Sequence, residues 1–163
     1  MSEKGKQSVA MSTQAESGVL VGRFDHALDP KKRLTIPSGW RLVMGNPEYV
    51  YAMPDMKERC VNLLPKAEMD VMLARLRERA LFDPALAQVQ QIIGANSELL
   101  LLDVQGRIRI SDKLLQFANL TTTVAMVGSV RMIKLWAPEA LAPADKVDQS
   151  SLAAALQAAG WCG

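Results

Sequence analysis

Two short segments of the chain combine an aspartate with an arginine four residues later. The first segment contains Asp29 and Arg33, and the second contains Asp103 and Arg107. An aspartate at the start of a turn accepts hydrogen bonds from backbone N–H groups two residues on, and the arginine would lie within reach of the same carboxylate. A bidentate pair of this kind would hold the residues between them as a rigid projection. In the first segment the projection is Pro30-Lys31-Lys32, and its lysines suit contact with phosphate.

The two segments belong to a longer repeat. Residues 28–37 align with residues 102–111 at an offset of 74 without a gap, and each copy continues into an apolar–x–apolar strand pattern. A single Asp-x-x-x-Arg match is common, and two hairpins with solvated charges would explain it. The recurrence favours a specific fold instead. Two copies are fewer than a solenoid needs, so the two units are predicted to pair as one pseudo-twofold domain.

The charge distribution predicts a local basic surface. The net charge of +2 does not by itself indicate a nucleic-acid-binding protein. Between Arg23 and Arg41, however, the chain carries five positive and two negative residues. Around the second aspartate–arginine pair, residues 98–113 carry no net charge. The first turn is therefore the predicted phosphate-contacting loop, and the second is expected mainly to complete the fold.

The residue pattern predicts a mainly β chain with peripheral helices. Residues 1–18 are expected to be a flexible tail, 19–94 a first unit with linking helices, 95–137 a second unit, and 138–163 a helical or disordered tail. Ser38 is predicted to cap a short helix, and Ser111 or Asp112 a second one. One further helix is predicted to begin at Pro65, and another to run from Pro84 to a stop at Gly94. Met69 and Met72 of the first of these helices are expected to lie in the core or against a neighbouring subunit.

Other chemistries find little support in the sequence. His26 is the single histidine and is predicted to be a partly buried strand residue, while Cys60 and Cys162 fit no metal-ligand spacing. No phosphate-binding loop or nucleophile elbow is present, so we expect no enzyme, metal, cofactor or small-molecule substrate. The polar start and the lack of a long apolar run predict a cytoplasmic protein without a membrane segment. Trp40, Trp136 and Trp161 are predicted to be packing anchors.

The chain resembles the MraZ family of the AbrB-like superfamily. The resemblance lies in residues 22–37, read as GRFDHALDPKKRLTIP, in the following Arg41, and in residues 103–110, read as DVQGRIRI. Residues 126–128 and the pair Leu135-Trp136 are similar to the closing strands of the family. The family usually has an arginine at position 21, where this chain has Val21, and a glycine at position 32. Lys32 is therefore expected to avoid the positive φ that glycine permits there.

This resemblance implies a fold, an assembly and a function. The fold would be two AbrB/MraZ-like units forming one pseudo-twofold double-split β-barrel domain. The assembly would be a homo-oligomeric ring, commonly an octamer. The ring would bind repeated double-stranded promoter elements of a cell-division and cell-wall gene cluster, as a transcriptional regulator associated with the nucleoid. Two alternatives stay open: a ring-forming scaffold that has lost DNA binding, and an AbrB-type antitoxin.

Individual DNA-contacting residues follow from the motif positions. Phosphate contact is predicted for Lys31 and Lys32, and base contact in a groove for Arg33, Arg107 or a lysine at the loop tip. Arg109 is a secondary candidate, because it shares a face with Arg107 if the strand is regular. Asp29 and Asp103 are predicted to act structurally. The arginines of the first long helix are expected to form a solvated face (Arg75, Arg77 and Arg79).

Overall fold

The computed structural model describes residues 18–144 and 148–161, and it confirms a mainly β chain with helices. The strands are β1 (Arg23–Ala27), β2 (Arg33–Thr35), β3 (Tyr49–Pro54), β4 (Val61–Leu64), β5 (Glu98–Leu101), β6 (Arg107–Arg109), β7 (Thr123–Gly128) and β8 (Ile133–Trp136). The helices are α1 (Ser38–Val43), α2 (Lys66–Ala80), α3 (Pro84–Asn96), α4 (Asp112–Phe117), α5 (Pro138–Ala144) and α6 (Gln149–Ala158).

The strands form one large sheet and one small ribbon. The sheet has six antiparallel strands in the order β1-β7-β8-β4-β3-β5, and the ribbon pairs β2 with β6. β1 and β5 are therefore the two edges of the sheet. The ribbon, α1 and α4 supply the other half of the main core, in which Leu34, Trp40 and Ile108 are fully buried.

The two units of the sequence repeat exchange strands. β1 of the first unit pairs with β7 of the second, and β5 of the second unit pairs with β3 of the first. In these pairings Ala27 lies opposite Thr123, and Tyr49 lies opposite Leu101. Adding the repeat offset of 74 to Ala27 gives position 101, and adding it to Tyr49 gives position 123. A pseudo-twofold axis therefore relates the two units in three dimensions, and each unit completes the sheet of the other.

Helices cover the face of the sheet that lies away from the ribbon. On the first half, Met69 of α2 is buried against Met53 and Leu64, with Met72 partly buried beside them. On the second half, Leu141 of α5 packs against Ala125 and Trp136. Met69 thus belongs to the core of the chain itself. β4 is buried along its whole length because both of its faces are covered.

Several predicted helix ends are wrong. Ser38 does not cap α1: Pro37 precedes the helix, and no side chain caps its first amide groups. Gly94 does not stop α3, which continues to Asn96 and ends where Ser97 bonds back to Ile93 through both its backbone N–H and its hydroxyl. By contrast, Ser111 caps α4 as predicted, because its hydroxyl accepts the backbone N–H of Leu114 at 3.3 Å.

Some predictions about single residues and the termini also need correction. His26 is exposed on the edge strand β1 and not partly buried, and Trp161 is exposed and not a packing anchor. Trp40 and Trp136 are buried as predicted. After Ala137 the chain forms the two helices α5 and α6. The predicted flexible tail, apart from Gly18, lies outside the described residues.

Candidate nucleic-acid interface

The first turn is held together by the carboxylate of Asp29. Its Oδ1 accepts the backbone N–H groups of Lys31 at 2.9 Å and Arg33 at 2.8 Å, and its Oδ2 accepts Nε of Arg33 at 2.6 Å. The predicted pair is therefore present, although the second bond to Arg33 comes from its backbone rather than from a second guanidinium N–H. The hydrogen bond from the Arg33 backbone is the main reason that the pKa of Asp29 is lowered.

The second turn repeats this arrangement. Asp103 Oδ1 accepts the backbone N–H groups of Gln105 and Arg107, both at 2.9 Å, and Oδ2 accepts Nε of Arg107 at 2.7 Å. The backbone hydrogen bond from Arg107 again lowers the pKa of the aspartate. The same contacts at two places in one chain show that the aspartate–arginine motif builds a turn of fixed shape. The residues enclosed by the turn then decide what it presents to solvent.

The last residue enclosed by each turn has a left-handed backbone. Lys32 has φ +61° and Gly106 has φ +77°, so the expectation that Lys32 avoids a positive φ is wrong. Its carbonyl accepts the backbone N–H of Ile110 at 3.0 Å, and the carbonyl of Gly106 accepts that of Ile36 at 2.9 Å. Each turn is therefore tied to the strand end of the other unit. These bonds stabilise a conformation that lysine otherwise disfavours.

Glycine at position 106 also leaves room for the side chain of Arg41. A Cβ on Gly106 would lie 2.4 Å from Cζ of Arg41, whose Nε donates to the carbonyl of Ile36 at 3.1 Å. At the pseudo-equivalent place beside Lys32 the chain has Leu115, which lies 74 residues after Arg41. Arg41 thus packs against the second turn, and the two turns differ in their neighbours as well as in their sequence.

The ribbon β2–β6 carries arginines on its outer face. Its register pairs Arg33 with Arg109, Leu34 with Ile108 and Thr35 with Arg107. Because side chains alternate along a strand and the central pair is buried, the two flanking pairs point away from the core. The prediction that Arg109 shares a face with Arg107 is therefore confirmed. Arginines placed directly opposite each other are unfavourable in a sheet, and the ion pair of Arg33 with Asp29 offsets one of the two charges.

The predicted contact residues form two groups around this ribbon. Lys31, Lys32 and Arg109 line one small cavity of about 160 Å³, together with Asp112. Arg107 lies at the other end of the ribbon, beside the second turn. The structure thus places Arg109 with the lysines of the first turn, although the two parts of the sequence are far apart.

Ion pairs divide these cations further. Arg33 and Arg107 are paired with the aspartates of their own turns, and Lys32 Nζ is paired with Asp112. Within residues 18–144 and 148–161, the exposed side chains of Lys31 and Arg109 form neither a hydrogen bond nor an ion pair. Sequence reasoning treated Asp112 as a helix cap and missed its pairing with Lys32. A capping pattern is local and carries no signal for a contact between the two units.

The described residues offer few alternative sites. None of their helices has both the length and the apolar character required to cross a bilayer. They also contain no cluster of three or more side chains suited to hold a metal ion. Of the two cysteines, Cys60 is a buried free thiol, and Cys162 lies outside the described residues.

Comparison with known proteins points to one family. No protein-family model matches the chain. A protein named "Transcriptional regulator MraZ" from Mannheimia succiniciproducens is 32% identical to it over 67% of this chain and 73% of that protein. A protein of the same name from Pseudomonas savastanoi pv. phaseolicola is 32% identical over 72% of this chain and 82% of that protein. Another, from Caulobacter vibrioides, is 29% identical over 83% of this chain and 86% of that protein.

An identity of 32% over 73% and 82% of two relatives is sufficient to establish common descent. The chain belongs to the MraZ family.

Proposed function

We propose that the chain is a transcriptional regulator that binds double-stranded DNA through the ribbon β2–β6 and the adjoining first turn. The names of its relatives support regulation of transcription. One observation carries the DNA-binding proposal: the outer face of the ribbon holds Arg33, Arg107 and Arg109, and the exposed Lys31 of the first turn lies beside Arg109. A surface of this kind attracts the phosphate backbone.

The charged side chains would take different roles on DNA. Lys31 and Arg109 form no ion pair among the described residues, although the charge of Arg109 acts on the nearby Asp112. They are therefore the preferred phosphate contacts, with Lys32 beside them. A two-stranded β-ribbon fits the major groove of B-DNA, and a guanidinium group binds the acceptor edge of guanine. Arg33 and Arg107 are oriented by Asp29 and Asp103, and this fixed orientation suits base contact. The aspartates would then act by positioning.

Several subunits would act together. One ribbon offers few free charges, so a single chain would bind a single site weakly. A homo-oligomeric ring, an octamer in its simplest form, would present one ribbon per subunit to successive promoter elements, and the linkage between sites would raise the overall affinity. We infer that the ribbon and the six-stranded sheet form a double-split β-barrel within each subunit. The target would be a cell-division and cell-wall gene cluster, read in the cytoplasm at the nucleoid.

The test is a fluorescence-anisotropy titration with the DNA upstream of the chain's own gene, at several salt concentrations. For Lys31→Ala/Arg109→Ala we expect a loss of affinity of at least tenfold. Two lost phosphate contacts should also lower the slope of log affinity against log salt by about 1.8. The matched control is Arg75→Ala/Arg79→Ala, which removes two exposed cations from α2 and should leave both quantities unchanged.

A different result would favour a different function. If folded, oligomeric wild-type protein shows no preference for this DNA over an unrelated duplex, the proposal is wrong, and the family fold serves here as a scaffold. If the α2 control loses as much affinity as the ribbon variant, DNA lies on α2 rather than on the ribbon.

A further inference from the structure

A large, open cavity lies beside the helix that follows the ribbon. Its volume is about 540 Å³, and it is lined by the end of β3, the loop after β3, α3 and α4. Its walls are mainly apolar and include Met53 from β3, Met56 from the loop after β3, Ile92 from α3 and Phe117 from α4. This size and this composition are typical of sites for small molecules.

The cavity exposes apolar side chains to solvent. Ile92 is 47% exposed and Met56 is 71% exposed. Although α3 runs over 13 residues, none of them is buried. Exposed apolar groups that line a concave surface are a recognised mark of a binding site, because burying them in a complex is favourable.

Positively charged side chains lie at and beside the rim of the cavity. Lys113 Nζ donates to Asn96 Oδ1 at 3.1 Å, and Cζ of Arg59 lies 4.9 Å from the centroid of the Phe117 ring. Neither cation has a carboxylate partner among the described residues. Asp55 also lines the cavity, and its carboxylate is paired with Lys134 Nζ at 2.9 Å. The cavity therefore combines an apolar wall with a positive rim.

We propose that this cavity binds a small amphiphilic carboxylate, a free molecule with an apolar chain and one anionic head group. The chain would lie against Met53, Ile92 and Phe117, and the head group would be held by Lys113. A carboxylate would accept a charge-assisted hydrogen bond from Lys113, and Arg59 beside the Phe117 ring would add positive charge nearby. The apolar chain would cover the exposed surface of Ile92 and Met56.

The position of α4 connects this site with the first turn. Lys113, Gln116 and Phe117 of α4 face the cavity, whereas Asp112 of the same helix is paired with Lys32. Gln116 also lines a second cavity, of about 420 Å³, whose wall includes Asp29 and Lys32. The ligand would thus add negative charge on the other side of α4 from the first turn. This charge would weaken the attraction of the ribbon for phosphate. This regulatory step rests on the proposed DNA-binding function.

The binding step is tested by isothermal titration calorimetry with decanoate below its micelle-forming concentration. We expect saturable binding that weakens at least tenfold in Ile92→Ser and at least threefold in Lys113→Gln. The matched controls are Val71→Ser on α2 and Lys57→Gln in the loop after β3, which should bind decanoate as the wild type does. Uncharged decan-1-ol should bind more weakly and should not distinguish Lys113→Gln from the wild type.

The regulatory step is tested by the anisotropy titration with and without saturating decanoate. Wild-type protein should lose at least threefold in DNA affinity, and Ile92→Ser should lose none. If wild-type protein binds DNA but calorimetry detects no decanoate binding, this inference is overturned and the DNA-binding proposal stands. If decanoate binds and no DNA does, the site stands and the proposed function fails.

Two further outcomes would overturn the site. If Ile92→Ser changes the mass of the assembly in light scattering, the cavity is a contact between copies of the chain. If Val71→Ser reduces the calorimetric signal as much as Ile92→Ser, the ligand is bound nonspecifically to apolar surface.

Discussion

Leu34 lies directly opposite Ile108 at the centre of the ribbon, and the two positions are 74 residues apart, which is the offset of the sequence repeat. The pseudo-twofold axis therefore passes between these two residues. Both side chains are fully buried. The pair connects the ribbon, with its outward arginines, to the core beneath it, so stability and the shape of the candidate DNA surface depend on the same contact.

Truncating either central residue should destabilise the fold by a similar amount. Leu34→Ala and Ile108→Ala each leave a cavity at an equivalent place in the core, and we expect each to lower the free energy of unfolding by about 2–5 kcal/mol. Urea denaturation followed by circular dichroism measures this. Leu101→Ala, at an exposed position of β5, is the control and should change it by about 0.5 kcal/mol or less. A small effect at Ile108 alone would contradict the equivalence of the two units.

Lys32→Gly should affect stability and DNA binding in opposite directions. Glycine adopts the positive φ at position 32 more readily than lysine, so the free energy of unfolding should rise by about 1 kcal/mol. The loss of a cation beside Lys31 should lower DNA affinity by a few-fold. Urea denaturation and anisotropy on the same preparation measure both effects.

Gly106→Ala is the matched change in the other turn and should be harmful to stability. The added Cβ would collide with Arg41 and would also sit on a left-handed backbone. We expect a loss of at least about 1 kcal/mol in the free energy of unfolding. The double variant Gly106→Ala/Arg41→Ala should recover part of it, because the collision is removed. Equal stability of Gly106→Ala and the wild type would contradict the close contact with Arg41.

The carboxylate of Asp55 should make stability depend on pH in the acid range. Burial raises its pKa, but hydrogen bonds from Asn62, Lys134 and the backbone N–H groups of Lys57 and Glu58 outweigh burial and hold the pKa far below its usual value. A folded-state pKa below the unfolded one stabilises the protein at neutral pH. That stabilisation is lost as the pH falls below about 4, where the unfolded chain takes up the proton first.

Urea denaturation between pH 6 and pH 3 tests this dependence. The wild type should lose stability more steeply than Asp55→Asn, which should be about 2 kcal/mol less stable at neutral pH. The control is Asp70→Asn, which breaks an exposed pair with Lys66 and should change stability by about 0.5 kcal/mol or less. Parallel acid profiles for the wild type and Asp55→Asn would contradict the assignment.

The thiol of Cys60 should be unreactive in the folded protein. Burial raises its pKa to about 12, so almost no thiolate exists at pH 8. In the variant Cys162→Ser, iodoacetamide should label the folded chain very slowly and the urea-unfolded chain completely, as measured by mass spectrometry. Rapid labelling of the folded variant would show that the β3–β4 hairpin opens readily.

The sequence was sufficient to predict those features that local chemistry determines. The strand after each turn, the Ser111 cap and the carboxylate-centred turns at Asp29 and Asp103 all follow from residues close to one another in the chain. The backbone of Lys32 did not follow, because its positive φ depends on a hydrogen bond to Ile110 of the other unit. The pairing of Lys32 with Asp112 is likewise a contact between units.

The predicted end of α3 failed for a related reason. Glycine often terminates helices, but Gly94 has open space around it and is compatible with the helix. The stop is provided three residues later by Ser97, whose hydroxyl bonds to the carbonyl of Ile93 at 2.6 Å. A competing hydrogen bond of this kind is not visible in a glycine pattern.

The exchange of β1 and β5 makes this chain the covalent equivalent of an intertwined dimer. Each half places an edge strand on the sheet of the other half, so neither half has a complete sheet of its own. A single cut at Phe82, in the exposed turn between α2 and α3, should therefore yield two fragments that remain assembled and that reassemble after mixing. The hairpin α2–α3 then serves as a covalent linker, so that the two halves associate within one chain.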